Sequence, residues 1–215
     1  MSKEITIKNL NFNVLENFSI SFDNSIFYTI SSPNRCGKTT LLKYINREYS
    51  STLIDNNVYF SQDIVVNEIK VSLINNNLYT KEYLNQMIKK YDLDSIKNKD
   101  INSLTLEYKI YLKLIISIIN NTKIILLDNI DNFVSDELMM RIIELINSIK
   151  EDRIIIMTLT NLKYSEYSDY LYIINNKEII LKGKPLDVLQ NDNVLNKHGI
   201  DLPFMIIKTS IDVIK

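Results

Sequence analysis

Apolar and polar positions along the chain predict strands that alternate with helices. Residues 3–9 and 17–22 alternate polar and apolar side chains, as two paired, half-buried strands do, and a short turn over residues 11–16 joins them. A continuously apolar run such as 124–127 is typical of a strand that is buried on both faces of a parallel sheet. The other segments that predict strands are 26–30, 58–61, 154–158, 170–175 and 178–182.

Helical periodicity dominates the chain between residues 64 and 120. The clearest amphipathic helix covers residues 81–91, and Thr80, directly before it, is suited to act as its N-cap. Residues 104–119 are apolar on nearly every face, so we expect that helix to be deeply buried. Other predicted helices end near Arg47, span residues 136–149, and follow the strand 154–158 as a short segment.

This order of elements predicts an α/β protein with a mostly parallel sheet and an N-terminal antiparallel β part. A length of 215 residues corresponds to one ordinary-sized domain, and 46% apolar residues are enough for a sizeable core. The net charge of −1 gives no electrostatic reason to expect nucleic acid as a partner.

Cysteine content and leader patterns indicate the compartment. A single cysteine excludes an internal disulfide and suits a reducing environment. The N-terminal residues lack the apolar region of a signal peptide, and no apolar run is long enough to span a membrane. We therefore expect a cytoplasmic protein that can sit on a membrane partner.

A phosphate-binding loop is predicted between the strand 26–30 and the helix that follows it. Strand, tight loop and helix are the context that such a loop requires, because backbone N–H groups and the helix dipole converge on one anion. Lys38 adds a full positive charge, and the hydroxyl of Thr39 can bind a Mg²⁺ ion that bridges the β- and γ-phosphates. The alternative is a polar helix N-terminus without a ligand. The stretch reads Ser32-Pro33-Asn34-Arg35-Cys36-Gly37-Lys38-Thr39-Thr40.

One position of this loop departs from the usual pattern. Ser32 stands where glycine is expected, and its β-carbon is tolerated only if the residue avoids a positive φ.

An ordered set of motifs resembles the ATP-binding subunits of ABC transporters over almost the whole chain. Besides the phosphate loop, the set contains Gln62 after a predicted strand and Asp128 at the end of an apolar strand. The resemblance implies a P-loop NTPase core of the RecA-like kind, with ATP and Mg²⁺ as cofactors. It implies that Lys38 and Thr39 act in Walker A, that Gln62 links the Mg²⁺ site to a transmembrane partner, and that Asp128 holds the Mg²⁺.

The resemblance also implies a division of the single domain 1–215. Residues 1–65 and 120–185 would form the nucleotide-binding core, 66–119 a shortened helical subdomain, and 186–215 a C-terminal tail. Residues 194–204, which contain the sequence Gly-Ile-Asp-Leu-Pro at 199–203, resemble the tail of energy-coupling factor (ECF) and cobalt-importer ATPases. Those ATPases drive uptake of vitamins or metal ions. His198, the single histidine, is interpreted as structural or solvated.

Departures from the family cluster at positions that drive hydrolysis. Asn129 replaces the glutamate that acts in the family as general base or orients the attacking water, and an amide cannot accept a proton at neutral pH. Leu159 replaces the switch histidine and offers no hydrogen bond to a γ-phosphate. Arg35 stands where the family usually has glycine. Val14 lies about where an adenine-stacking aromatic is expected; Phe12 is a substitute for that role, or else a packed strand residue.

The signature loop of the family is also altered. Leu106 and Glu107 replace two glycines that let the backbone approach the partner subunit's nucleotide, and they add bulk and negative charge. The loop reads Leu104-Thr105-Leu106-Glu107-Tyr108.

These observations predict a protein that binds nucleotide but does not hydrolyse it briskly. The first hypothesis is an ATP-binding subunit of an ECF-type importer, paired in a heterodimer with a more orthodox ATPase and bound to a transmembrane coupling subunit at the inner face of the membrane. The second is a non-hydrolysing structural or regulatory nucleotide-binding module. The third is a soluble P-loop NTPase unrelated to transport.

Overall fold

The computed structural model describes residues 4–33 and 35–200. The strands in this part are β1 (Ile5–Phe12), β2 (Leu15–Phe22), β3 (Ile26–Ser31), β4 (Thr52–Ile54), β5 (Ile124–Asp128), β6 (Ile154–Leu159), β7 (Tyr170–Asn175) and β8 (Glu178–Gly183). The helices are α1 (Lys38–Glu48), α2 (Val65–Asn75), α3 (Lys81–Lys90), α4 (Leu106–Ile119), α5 (Asp136–Ile149), α6 (Pro185–Leu189) and α7 (Asp192–Lys197). Short 3₁₀ helices lie at Ile101–Ser103, Ile130–Asn132 and Leu162–Tyr167.

A six-stranded sheet forms the centre of the described structure. Its strand order is β4-β5-β6-β3-β7-β8, and neighbouring strands are parallel except for the antiparallel pair β7 and β8. Strands β1 and β2 form a separate antiparallel pair. The predicted α/β class, with a mostly parallel sheet and an N-terminal antiparallel part, is confirmed.

Two apolar clusters cover the two faces of the sheet. Strand β6 shows the alternation: Ile155 and Met157 belong to the cluster with α2 to α5, whereas Ile154 and Ile156 belong to the cluster with α1 and the β1–β2 pair. Because both faces are buried, β5 and β6 are apolar at nearly every position. A smaller cluster joins α6 and α7 to β7.

The parallel register brings the carboxyl ends of three central strands to one edge. Ser31 at the end of β3 pairs with Leu159 of β6, and Asp128 at the end of β5 pairs with Thr158. Ligand sites of open parallel sheets lie at this edge. The predicted phosphate loop, which follows β3, therefore lies beside the residues that follow β5 and β6.

Most predicted helices lie where the periodicity placed them. Helix α5 has the predicted bounds, and the hydroxyl of Thr80 accepts a hydrogen bond from the backbone N–H of Tyr83 at 3.0 Å, as expected of an N-cap. Helix α4 is deeply buried as predicted, although it begins at Leu106 rather than at residue 104.

The strand predicted at 58–61 is wrong. The strand next to β5 is instead β4, in which Ile54 is fully buried and pairs with Leu127. Residues 58–61 pair with no strand in the described part of the chain. Tyr59 is 77% exposed, and the N–H groups of Ser61 and Gln62 donate to the carboxylate of Glu68 on α2. Val58 and Phe60 pack partly against the helical cluster instead of in a sheet. The preference of such residues for strands therefore led to a wrong strand prediction.

The turn predicted over residues 11–16 is also too long. Strand β1 continues to Phe12 and β2 begins at Leu15, so Asn13 and Val14 alone connect them. Asn13 has a φ of 51°, which asparagine tolerates in short hairpin turns.

Residues 201–204 of the predicted tail motif lie outside the described residues, as does Asn34. Within the described ranges, no helix combines the length and apolar character that crossing a membrane requires.

Candidate functional site

The phosphate loop has the backbone that its glycine requires. Gly37 has a φ of 96°, and a Cβ added there would lie 2.7 Å from Cδ2 of Leu15 in the β1–β2 pair. Ser32 does not have a positive φ. Its β-carbon therefore causes no backbone strain at this position, as expected from the sequence. Arg35 has a φ of 66°, a conformation that is strained for a long side chain and that glycine adopts freely.

Lys38 is held inside the loop by the residue that replaces glycine. Its side-chain ammonium donates to the carbonyl oxygen of Ser32 at 2.8 Å and to the hydroxyl of Ser32 at 3.1 Å, and the residue is only 7% exposed. Burial lowers the pKa of Lys38, while the nearby Cys36, Asp131 and Asp128 oppose that shift. The loop therefore holds a buried lysine beside carboxylates from the end of β5.

A cavity of about 640 Å³ opens over this loop. It is within the size range of ordinary small-molecule sites. It brings together the loop, the turn of the β1–β2 pair and the residues that follow β5 and β6. Its lining consists of Val14, Ser32, Arg35, Cys36, Gly37, Lys38, Thr39, Thr40, Asn129, Asn132 and Thr160.

Asp128 is buried and engaged through one oxygen. Its Oδ1 accepts hydrogen bonds from the hydroxyl of Thr158 at 2.6 Å and from the side-chain amide of Asn129 at 3.0 Å. Among the described residues, none donates a hydrogen bond to Oδ2. This arrangement fixes the carboxylate and leaves an oxygen for a hydrated cation.

Asn129 is suited to its backbone as well as to its neighbour. It has a φ of 47°, in the left-handed region that asparagine visits more readily than most residues. Because its amide donates to Asp128, the side chain is engaged with the carboxylate that is expected to hold metal.

Leu159 and Thr160 have opposite environments at the end of β6. Leu159 is fully buried in the larger apolar cluster, whereas Thr160 lines the cavity. Oδ2 of Asp131 accepts the backbone N–H groups of Thr160 at 2.8 Å and Asn161 at 2.9 Å. Oδ1 of Asp131 is buried without a hydrogen-bond partner in the described structure, and burial raises the pKa of this carboxyl.

Sequence reasoning missed Asn132, Thr160 and Asp131. Asparagine and threonine in a loop carry no distinctive signal. An aspartate three residues after Asp128 was visible in the sequence, but its contact with residues 160 and 161 depends on the pairing of β5 with β6.

Several predicted site residues do not line the cavity, among them Phe12, Pro33, Gln62, Asp128 and Leu159. The backbone of Gln62 is tied to Glu68 by an N–H···O bond of 2.8 Å. Phe12 packs on α1, where its ring centroid lies 5.4 Å from that of Tyr44 and 4.6 Å from the guanidinium carbon of Arg47. Its neighbour Val14 takes the place in the lining.

The signature-loop position lies at a separate cavity of about 170 Å³. Leu104 is buried, Thr105 precedes the first residue of α4, and Tyr108 is partly exposed. The carboxylate of Glu107 accepts the backbone N–H of Ser135, directly before α5, at 3.3 Å.

His198 makes a structural contact, as predicted. Its Nδ1 lies 3.0 Å from the side-chain nitrogen of Asn175, and the amide oxygen of Asn175 accepts from Sγ of Cys36 at 3.5 Å.

The chain is similar in sequence to ATP-binding proteins of ECF transporters. It is 34% identical over 88 residues to "Energy-coupling factor transporter ATP-binding protein EcfA1" of Staphylococcus saprophyticus, covering 40% of this chain and 33% of that protein. It is 23% identical over 243 aligned residues to EcfA of Pediococcus pentosaceus, covering 95% of this chain and 87% of that protein. The chain thus spans about one third of the staphylococcal relative. The sequence matches no model of a protein family.

Solved structures share the fold at low sequence identity. CbiO1 of Clostridium perfringens, described as part of the ABC transporter complex cbiONQ, matches with a TM-score of 0.73 and 15% identity over 95% of this chain and 98% of its own. A bacterial Atm1-family ABC exporter with ATP bound matches with a TM-score of 0.76 and 14% identity over 93% of this chain and 42% of its own. The chain has the fold of an ABC ATPase.

The resemblance to ABC ATP-binding subunits, including those of ECF type, is thereby confirmed. In the ABC ATPase fold of this chain, the phosphate loop, Asp128 and Asn129 meet at one edge of the sheet. The roles of the individual site residues stay predictions.

Replacing Gly37 tests how closely the β1–β2 pair fits the loop. Gly37→Ala and Gly199→Ala both place a side chain at positive φ, and each should lose about 1–2 kcal/mol of unfolding free energy. A Cβ at Gly199 meets no described residue within 4 Å, whereas at Gly37 it meets Leu15. We therefore expect the larger loss for Gly37→Ala, by about 1–3 kcal/mol for overpacking, in urea unfolding. Equal losses of unfolding free energy in the two variants would show that the side chain of Leu15 moves aside at no cost.

Proposed function

We propose that this chain is an ATP-binding subunit of an ABC-type membrane transporter, of the ECF importer kind, and that it binds MgATP in the cavity over the phosphate loop. One observation carries the proposal. The buried Lys38 and the fixed carboxylate of Asp128 share one edge of the sheet, beside a cavity large enough for the phosphates and part of a nucleoside. Similarity to ECF ATP-binding proteins supports it.

The chain's own residues divide the binding of MgATP among them. The N–H groups of the loop and of the first turn of α1 face the phosphates, and the ammonium of Lys38 adds a charge-assisted hydrogen bond. Thr39 and Asp128 would hold Mg²⁺, Asp128 through Oδ2, to which none of the described residues donates a hydrogen bond. The ion would neutralise charge on the β- and γ-phosphates.

The non-hydrolysing module remains the second candidate, because two observations favour it. The side-chain amide of Asn129 donates to Asp128, so it offers no basic group to an attacking water. Leu159 is fully buried, so the side chain at that position is not available to a phosphate. Both candidates require nucleotide binding and differ in turnover.

The proposed assembly is a heterodimer with a more orthodox ATPase, bound to a transmembrane coupling subunit at the inner face of the cell membrane. In the family, each nucleotide lies between the Walker motifs of one subunit and the signature loop of the other. A homodimer would repeat Asn129, Leu159 and Glu107 in both sites. A heterodimer keeps one site with a complete set of catalytic side chains.

Nucleotide binding should depend on Lys38. Lys38→Ala should weaken MgATP binding about tenfold or more, because it removes a charge-assisted hydrogen bond from a buried site. Lys43→Ala, an exposed lysine on the same helix, is the matched control and should bind as the wild type does. Titration calorimetry measures both. Equal affinity in wild type and Lys38→Ala would contradict the proposal.

Restoring the carboxylate should restore part of the turnover. With an orthodox partner present, Asn129→Glu should raise phosphate release, since it returns a proton acceptor. The isolated variant should gain little, because Leu159 is buried and the signature loop is altered. Asn129→Gln, which keeps an amide at the longer reach, is the matched control and should gain nothing. A large gain in the isolated variant would show that the missing carboxylate alone limits hydrolysis.

The partner's own site should be the active one. That site meets Thr105, Leu106 and Glu107 of this chain, so it loses backbone contacts to the γ-phosphate worth about 2.7–4 kcal/mol but keeps the partner's catalytic side chains. Removing the partner's Walker B glutamate from the reconstituted complex should abolish phosphate release. Release that survives this change and then falls with Lys38→Ala would reverse the assignment.

A further inference from the structure

Three neutral polar side chains form the part of the cavity wall that comes from the ends of β5 and β6. They are Asn129, Asn132 and Thr160. The amide nitrogen of Asn132 donates to the hydroxyl oxygen of Thr160 at 2.9 Å. The same hydroxyl lies 3.5 Å from the amide oxygen of Asn129. The hydroxyl of Thr160 is therefore the centre of this small network.

The network leaves the hydroxyl proton of Thr160 free to be redirected. The hydroxyl oxygen of Thr160 accepts the amide N–H of Asn132, and this bond does not use the one hydrogen that the hydroxyl can donate. The remaining neighbour, the Asn129 oxygen, lies beyond the 2.5–3.0 Å that is normal for an O–H···O bond. An anionic oxygen that enters the cavity is a stronger acceptor than this distant amide.

Asp131 fixes the backbone from which this hydroxyl projects. One of its carboxylate oxygens accepts the N–H groups of both Thr160 and Asn161. The preceding residue, Leu159, is anchored in the apolar core. Thr160 thus presents its hydroxyl from a backbone held on both sides, so little conformational entropy remains to be lost when a ligand binds.

The position of the network decides which phosphate it meets. In a phosphate loop of this kind, backbone groups cradle the inner phosphates and the lysine reaches the outer ones. Thr160 contacts Asn129, which directly follows the carboxylate expected to hold the bridging Mg²⁺. This places the hydroxyl on the side of the terminal phosphate.

We propose that the hydroxyl of Thr160, oriented by Asn132, binds the terminal phosphate of a nucleoside triphosphate and so makes this site prefer triphosphate over diphosphate. This inference rests on the proposed nucleotide binding. It assigns the recognition of the terminal phosphate to the residue after Leu159, whose own side chain faces the core.

The test measures the two affinities separately. The full-length chain is titrated with Mg²⁺ and either a non-hydrolysable ATP analogue or ADP. Thr160→Val keeps the shape of the side chain and removes the hydroxyl, so it should weaken the analogue roughly ten- to hundredfold and leave ADP within about twofold. Thr160→Ser keeps the hydroxyl and should restore most of the preference. Thr122→Val, at the half-buried Thr122 whose hydroxyl lies 3.4 Å from that of Thr52, is the matched control and should change neither affinity.

The outcomes separate this inference from the proposed function. Equal loss of both ligands in Thr160→Val, or no loss of either, would overturn the inference while wild-type binding still supports the proposed function. A wild type that binds neither nucleotide would overturn both. If Thr160→Val does not fold, Asn132→Ala replaces it: removal of the orienting donor from this exposed position should weaken the analogue alone, and an unchanged analogue-to-ADP ratio would overturn the inference.

Discussion

The parallel pairing of β5, β6 and β3 is the constraint on which the rest of the site depends. Because Asp128 pairs with Thr158 and Ser31 with Leu159, three chain segments distant in sequence end at one edge of the sheet. The hydroxyl of Thr158 then lies 2.6 Å from Oδ1 of Asp128, and the phosphate loop opens beside both. A shift of β6 by one residue would turn Leu159 towards the opposite face and withdraw that hydroxyl from the carboxylate.

The positive charge of Lys38 and the carboxylates of Asp128 and Asp131 interact at this edge without forming direct ion pairs among the described residues. The ammonium of Lys38 donates to Ser32, and Asp128 and Asp131 act on it across space. Asn129 places a neutral side chain beside Asp128 and donates a hydrogen bond to its carboxylate. The edge therefore combines a buried ammonium with a fixed carboxylate, and the neighbouring side chains of Asn129, Asn132 and Thr160 are neutral.

The sequence predicted what depends on strong local patterns. Apolar runs identified β5 and β6, and the order of strand, loop and helix identified the loop around Lys38. The sequence did not predict β4, because a strand of three residues is too short to show a polar–apolar alternation. Tyr59 and Phe60, by contrast, are residue types that favour strands but lie outside the sheet. The face of Phe12 was not readable either, because register shifts interrupt the β1–β2 pair. The contact of Asn132 with Thr160 joins residues 28 positions apart and exists only once β5 and β6 are aligned.

The hydrogen bond from the backbone N–H of Gln62 to the carboxylate of Glu68 attaches the segment before α2 to that helix. Only Asp63 and Ile64 separate Gln62 from the first residue of α2, and Lys113 of α4 binds the carbonyl of Tyr59 at 2.8 Å. Hydrogen bonds thus join this segment to both α2 and α4. Any rotation of the helical layer against the sheet carries the Gln62 backbone with it, so the position of this glutamine follows the angle of that layer.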